Sequence, residues 1–330
     1  MSGLLIPSSP LPLAEPVERT GPASVRRLVT VQPGMCGSLQ ALVARVGDWT
    51  WETVSTVCEF DVANARDGCG APSYLAFYYY RIASGGGLKL RQLAFGERLE
   101  VQSLVFDVGR MSVLTLHRLR RVTGSAAADG SVLFDVAEAF TRPRADSLYV
   151  ENLNVWVARG ETGSNVGLVR SVPPQFAEAC LPKVPDAYSP RTLCAQARSE
   201  HVFADPARSG WPRACPDQVI DHPVDLVHDV NGAGLLYFGA FFSMVEQAQL
   251  TLWRSRGRSG RSFLARSVVD ARVCYLGNAD LDATLRLTLR TSCNPRDPVE
   301  EKTDVVVRDA STDRTIAVAS SRHHGCGQFA

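Results

Sequence analysis

Apolar residues recur along this chain in two rhythms, one helical and one alternating. Between Gly37 and Cys58, helical spacing links Leu39, Leu42, Val43 and Val46, and then Trp51, Val54 and Cys58. The spacing predicts two short helices interrupted at Gly47-Asp48, with Asp48 as an N-cap. A turn-rich stretch, Asn64 to Gly70, precedes the run Ala71-Pro-Ser-Tyr-Leu-Ala-Phe-Tyr-Tyr-Tyr-Arg-Ile82. Pro72 suits a first helical turn, where its missing N–H would be unpaired anyway. The run is apolar almost all round, so it predicts a buried helix over 72–82 that the glycines 85–87 end.

From Leu88 to Val157 the period shortens to two, the mark of half-buried antiparallel strands. Five strands are predicted, at 88–93, 98–106, 112–119, 132–140 and 153–158, with turn chemistry at Gly96-Glu97 and Asp129-Gly130. Residues 160–215 hold seven prolines and no long period, with a short helix expected over Ser189 to Arg198. Then the outline recurs. A turn from His228 to Gly234 leads into an apolar helix over 235–253, followed by strands at 267–275, 283–290, 303–308 and 315–321. Asp61, Asn64 and the Tyr74 run line up with Asp229, Asn231 and the Tyr237 run. That is an internal repeat of about 130 residues, far longer than a solenoid unit. The predicted organisation is a flexible arm over 1–25, one half over 26–159, a connecting segment over 160–215 and a second half over 216–330. Each half is α+β, an apolar helix wrapped by an antiparallel sheet.

The net charge of +1 gives no electrostatic footprint for nucleic acid. No apolar run reaches the roughly 18 residues that a membrane span needs, and the N-terminus lacks the charged-then-apolar pattern of a secretory signal. The nine cysteines are irregularly spaced with no CxxC pair, so reduced thiols in a cytoplasmic protein are expected and a zinc ribbon is not. No Walker, Rossmann or GxSxG signature occurs.

One buried helix followed by antiparallel strands is the hotdog plan. Asp229-Val-Asn-Gly232, Tyr237 and Glu246 resemble the thioesterase branch of that superfamily. In the first half, Val31-Gln-Pro-Gly-Met-Cys-Gly37, Gly47-Asp-Trp-Thr-Trp51 and Pro72-Ser-Tyr-Leu-Ala-Phe-Tyr-Tyr-Tyr-Arg81 resemble the bifunctional acyltransferase/decarboxylase family of polyketide β-alkylation, typified by the enzyme of leinamycin biosynthesis. The resemblance runs from about residue 26 to residue 325. It implies a double hotdog, two sheets each wrapping a helix and packed as a pseudo-dimer. It implies an enzyme that decarboxylates methylmalonyl-CoA and passes propionyl to the thiol of an acyl carrier protein. The coenzyme A thioester is then substrate, with no permanently bound cofactor. The family's tyrosine falls on Tyr74.

Decarboxylating a malonyl-type thioester makes an enolate, so hydrogen-bond donors must meet charge growing on the thioester oxygen. Helix N-termini near 71–74 and 233–237 are expected to supply backbone donors. Tyr74 is the candidate catalytic residue, as a donor or as an acyl acceptor; a packed aromatic row with Phe77, Tyr78 and Arg81 is the plainer reading. Ser73, Asn231 and Gly232 are candidate substrate contacts, although Asn and Gly serve a tight turn equally well. Glu246 sits where a thioesterase keeps its carboxylate, or is structural. Arg254, Arg256 and Arg258, with Arg261, form either a solvated loop or a contact for the coenzyme or an acidic carrier protein. His117 reads as a satisfied strand histidine, and His323-His324 with Cys326 lacks a fourth ligand, so no metal is expected. A hotdog hydrolase or dehydratase and a non-catalytic carrier-binding module are the rival functions, and a homodimer is compatible with any of them. The dehydratase histidine is missing from both halves. Pro72-Ser73 precedes Tyr74 whereas Leu235-Leu236 precedes Tyr237, which predicts one equipped site per chain.

Overall fold

The computed structural model of the protein describes residues 16–90, 93–109, 111–122, 133–160, 164–205 and 208–325. Asp129-Gly130, Cys326 and all of the arm before residue 16 lie outside the described residues. The described chain opens with a hairpin of β1 (Val17–Gly21) and β2 (Ser24–Thr30), so order begins well before Arg26. Next comes α1 (Leu39–Cys58), then β3 (Tyr74–Ser84), β4 (Arg98–Asp107), β5 (Ser112–Arg121), the short α2 (Val136–Thr141) and β6 (Ser147–Arg159). The connecting region carries β7 (Leu168–Arg170), α3 (Pro174–Ala177) and α4 (Arg191–Glu200). β8 (Gln218–Pro223), α5 (Ala240–Ser255), α6 (Gly260–Ala265), β9 (Ser267–Tyr275), β10 (Thr284–Asn294), β11 (Asp297–Asp309) and β12 (Thr315–His324) complete it.

All twelve strands belong to one antiparallel sheet in the order β1-β2-β4-β5-β6-β3-β9-β12-β11-β10-β8, with β7 on β6. From the middle outward the order matches in both directions: β3-β6-β5-β4-β2 one way, β9-β12-β11-β10-β8 the other. The helix of the first half is α1, so α1 corresponds to α5 and β3 to β9. The expected helix over 72–82 is therefore a strand, and the expected pairing of the Tyr74 run with the Tyr237 run is out of register.

The reason is burial on both faces. β3 lies at the centre of the sheet between β6 and β9, and Leu75, Tyr79, Tyr80 and Ile82 are fully buried. Such a strand has no polar face to alternate with, so its period vanishes. The first helix is continuous rather than broken. Ser38 caps it by accepting from Ala41 N (3.2 Å), and Asp48 lies mid-helix rather than at a cap. Gly47 does not break α1; it lets the helix touch the other half, because a Cβ there would stand 2.2 Å from Phe238 Cζ. Two further expectations fail locally. Residues 136–141 form α2 rather than a strand, capped by Asp135, and residues 88–90 are not in a strand.

α1 and α5 pack side by side in one hydrophobic core that runs from Val29 and Trp49 through Tyr80 to Phe241, Leu252 and Val305. The other face of the central strands is covered by α2, α4 and the segment near Phe203. At the join, β3 and β9 pair Arg81 opposite Arg272. Asp270 holds both arginines, at 2.6 Å and 3.0 Å, and they keep its carboxyl well below the usual range against the opposing effect of burial. Burial pushes the neighbouring Glu151 up to about 7.

Candidate active site

Where the two halves meet, a cavity of about 1060 Å³ opens. Its walls come from α1 (Gly47, Asp48, Trp51), β3 (residues 74–78), β6, the loop before α5 (residues 231–238) and residues 275–278 after β9. Tyr74 from the first half and Asn231-Gly232 from the second thus share one cavity, although neither stands at a helix N-terminus. Ser73 points elsewhere: it is buried and donates to Ser171 O (2.6 Å), pinning β3 to the connecting region.

The 228–239 loop is held by its own polar side chains. Buried Asp229 accepts from His222 Nε2 (2.7 Å) and Asp225 N (2.9 Å), tying the loop to β8. Asn231 Oδ1 accepts from the amides of Ala233 and Leu235, both at 3.0 Å. Its Nδ2 and the exposed Gly232 backbone are left without a protein partner among the described residues. Arg159 and Asn165 reach across from the first half and donate to Ala233 O and Gly234 O.

The Tyr74 hydroxyl also has no protein partner among the described residues, and its strand is fixed by pairing with Val157. A bulge between Phe77 and Tyr79 re-aims the next ring, so Tyr78 accepts from Arg198 Nη2 (3.1 Å). Phe77 stacks on Phe238 with ring centres 3.9 Å apart, and Tyr237 meets Phe238 edge-on. Burial and the nearby charge of Asp48 raise the Tyr237 phenol. Burial in turn raises the Asp48 carboxyl; Arg45 opposes this and Glu52 adds to it. Among the described residues Asp48 is the one carboxylate on the cavity wall, and no described histidine or cysteine lines it. Its opposite character is basic: Arg170, Arg191, Arg198 and Arg314 all line it.

The remaining candidates lie outside this cavity. Arg256 and Arg258 clamp Glu301 at 2.9 Å, and Arg258 lies over the Trp253 ring, so these two knit α5 to β11. Arg254 is exposed, and it and Arg261 are absent from the lining. Glu246 accepts from Leu39 N (3.3 Å) at the start of α1 and lies 3.8 Å from Arg266. His117 is fully buried, with Nδ1 at 2.7 Å from Ser103 Oγ and Nε2 at 3.0 Å from Thr50 Oγ1; burial lowers it to about 3, so it is neutral. His324 joins Asp297 and Glu300 in a group with metal-ligand spacing, but Glu300 is already held by Arg322 and Asn294. The described cysteines are all free thiols. No described helix is long and apolar enough to cross a membrane.

Sequence reasoning missed Asp48, the four cavity arginines and the Phe77–Phe238 stack. Asp48 gave no distinct signal, because Arg45 and Glu52 share its helical face and it reads as part of a solvated charged stripe. The arginines carried none, because they converge from β7, α4 and the turn after β11.

Mirror symmetry of the sheet defines a second place, between α5, β9 and β12 next to Leu39. There the space shrinks to about 20 Å³, lined by Glu246, Gln249 and Ser321. Gln249 donates to Ser321 Oγ and accepts from Arg266.

The family model of the LnmK N-terminal Hot Dog Fold domain matches residues 26–206. Among solved structures, the chain is similar to a protein described as an oleoyl thioesterase from Lactobacillus plantarum (TM-score 0.56, 10% identity, 93% of this chain and 96% of that one). It is similar to the 12:0-ACP thioesterase of Umbellularia californica (TM-score 0.51, 11% identity, 93% and 99%). An acyl-ACP thioesterase from Bacteroides thetaiotaomicron is alike at TM-score 0.51 and 9% identity, over 91% and 98%. At these identities the likeness is one of fold, the hotdog fold. No curated protein matches the chain in sequence.

Proposed function

The chain belongs to the family of the LnmK N-terminal hot dog fold domain, and on that premise we propose that it decarboxylates methylmalonyl-CoA and transfers the propionyl group to the phosphopantetheine thiol of an acyl carrier protein. In this reading the mirrored halves form a double hotdog packed as a pseudo-dimer, with the site at the seam. The observation that carries it is the convergence of Tyr74 with Asn231-Gly232 in one cavity whose lining, among the described residues, holds no histidine or cysteine. Such a wall suits a reaction driven by stabilising an oxyanion rather than by an activated protein nucleophile.

The bond from C2 to the free carboxylate breaks, CO2 leaves, and the electron pair moves into the thioester enolate. Tyr74 Oη donates to the developing oxyanion, with Asn231 Nδ2 and the Gly232 amide as further donors. A proton returns to C2. The carrier thiol gives its proton to solvent, its thiolate attacks the propionyl carbonyl, and coenzyme A leaves as the thiolate, which solvent reprotonates. An unpartnered phenol, with no base hydrogen-bonded to it, favours the donor role of Tyr74 over acylation.

A second reading, thioester hydrolysis, rests on Asp48, whose raised carboxyl faces the cavity. Mass spectrometry of holo-carrier protein incubated with enzyme and methylmalonyl-CoA separates the two. Propionyl-carrier protein with CO2 release supports the first reading. Free acid with unmodified carrier supports hydrolysis, and no turnover of either ester removes both.

A further inference from the structure

The cavity's four arginines differ from most others in the fold. Arg81, Arg118, Arg256, Arg258, Arg272 and Arg322 are each held by a carboxylate. Arg170, Arg191, Arg198 and Arg314 make no ion pair within the described residues. Arg314 is occupied in another way, donating to Asn278 O at 2.5 Å. The other three are exposed and come from one stretch of chain: Arg170 from β7, Arg191 and Arg198 from α4.

The backbone of Arg170 and the side chains of Arg191 and Arg198 are placed by their neighbours. β7 is fixed by the pairing of Arg170 with Val157 of β6. The guanidinium of Arg191 lies over Gly109, where a Cβ would stand 2.6 Å from Nη2 and where φ is +114°. Arg198 is anchored by one bond to Tyr78 Oη, with its guanidinium 5.8 Å from that ring's centre. α4 itself is held down by buried Cys194 and Ala197. Three cations with no ion pair among the described residues line one cavity, which gives it the character of an anion site. Phe77, Phe238 and Phe241 line the same cavity. A ligand that fits both is long, apolar or reactive at one end and phosphorylated at the other.

We infer that Arg170, Arg191 and Arg198 bind the phosphate end of the thioester carrier, which orients the acyl end toward Tyr74 and Asn231-Gly232. This deepens the proposed function and rests on it for the identity of the ligand. It also moves the phosphate contact away from Arg254, Arg256 and Arg258. The connecting segment, which has no counterpart in the second half of the sheet, thereby equips only one side of the seam.

The phosphate has two sources, the nucleotide of coenzyme A and the phosphopantetheine of the carrier protein. Calorimetric titration of the full chain with coenzyme A, 4′-phosphopantetheine and pantetheine distinguishes them. Each of Arg170→Gln, Arg191→Gln and Arg198→Gln should weaken coenzyme A binding about tenfold, the scale of one charge-assisted contact. Pantetheine binding should be unchanged, and the exposed Arg296→Gln should alter nothing. Loss shared by coenzyme A and 4′-phosphopantetheine assigns the arginines to the phosphate common to both carriers; loss with coenzyme A alone assigns them to the nucleotide phosphates. Coenzyme A affinity unchanged in all three variants overturns the inference, as does an equal loss for pantetheine. Because no chemistry is needed, binding that depends on the arginines in an enzyme that transfers no propionyl group would sink the proposed reaction and leave this site standing.

Discussion

Tyr74→Phe removes one hydroxyl and keeps the ring. The structure sets the size of both consequences. That hydroxyl bonds to no described protein group, so its loss strands no buried partner, and β3 keeps its pairing with Val157. Stability should change by less than about 0.5 kcal/mol, the range of a substitution that breaks no packing or polar contact. The reaction should suffer far more. A donor aimed at a growing oxyanion in a partly dry cavity contributes about 2.7–4 kcal/mol, so decarboxylation should slow by roughly a hundredfold to a thousandfold. The assay is CO2 release from methylmalonyl-CoA with carrier protein absent, alongside a urea melt of the same sample. A fall in kcat with little change in KM marks an interaction made in the transition state. Turnover within a few-fold of wild type would refute the role of Tyr74, and a stable propionyl adduct on Tyr74 in the intact mass spectrum would replace it with acyl transfer.

Asp270→Asn removes the buried carboxylate between half-buried Arg81 and Arg272 at the β3–β9 join, so it should cost about 3 kcal/mol, the low end of breaking a buried pair, in urea unfolding; a loss under 1 kcal/mol would show that the join relaxes. His117 is neutral and buried with a folded value near 3, below its unfolded value, so its contribution is complete above pH of about 6.5 and is lost as pH falls. The stability difference between wild type and His117→Gln should therefore shrink by about 1.4 kcal/mol per pH unit below 6.5, measured as paired urea melts; a pH-independent difference would contradict it. Glu151 works the other way, since its folded value is raised to about 7, and taking the difference between the two proteins cancels that term.

The second half was legible in its main strands because they keep one polar face: β10 alternates from Leu285 to Thr291, and β9 begins and ends where its period does. β8 and the short α6 went unread there, α5 starts five residues later than expected, and β11 starts six residues earlier. The first half misled at its centre. β3 is covered by α1 and α5 on one side and by α4 on the other, which erases the alternation that identifies a strand. Pro72 then supplied a false helix start. Gly47 misled for the opposite reason: its absent side chain serves a contact with Phe238 from the far half of the sequence, which no local pattern encodes. Tyr74, Asn231 and Gly232, which motif chemistry rather than secondary structure singled out, line one cavity.

The same asymmetry predicts one site per chain. A pseudo-symmetric sheet generates two places where a helix, its following strand and the opposite loop meet. At one, Gly47 and Asp48 leave room, the 228–239 loop stands off on its Asp229 and Asn231 bonds, and the cavity reaches about 1060 Å³. At the other, Gln249 of α5 lines the space and is tied to Ser321 and Arg266. Glu246 reaches Leu39 N there, and the remaining space of about 20 Å³ is of the order of a single water. Opening that place would break the α1 capping contact and expose the helix–helix core, so ligand binding cannot drive it cheaply. A non-decarboxylating methylmalonyl-CoA analogue should therefore saturate at one equivalent per chain in calorimetry. Glu246→Gln should leave that stoichiometry and the affinity unchanged while lowering stability. Two equal sites per chain would mean that the mirror cavity opens in solution, and loss of analogue binding in Glu246→Gln would place the working site on the wrong side of the seam.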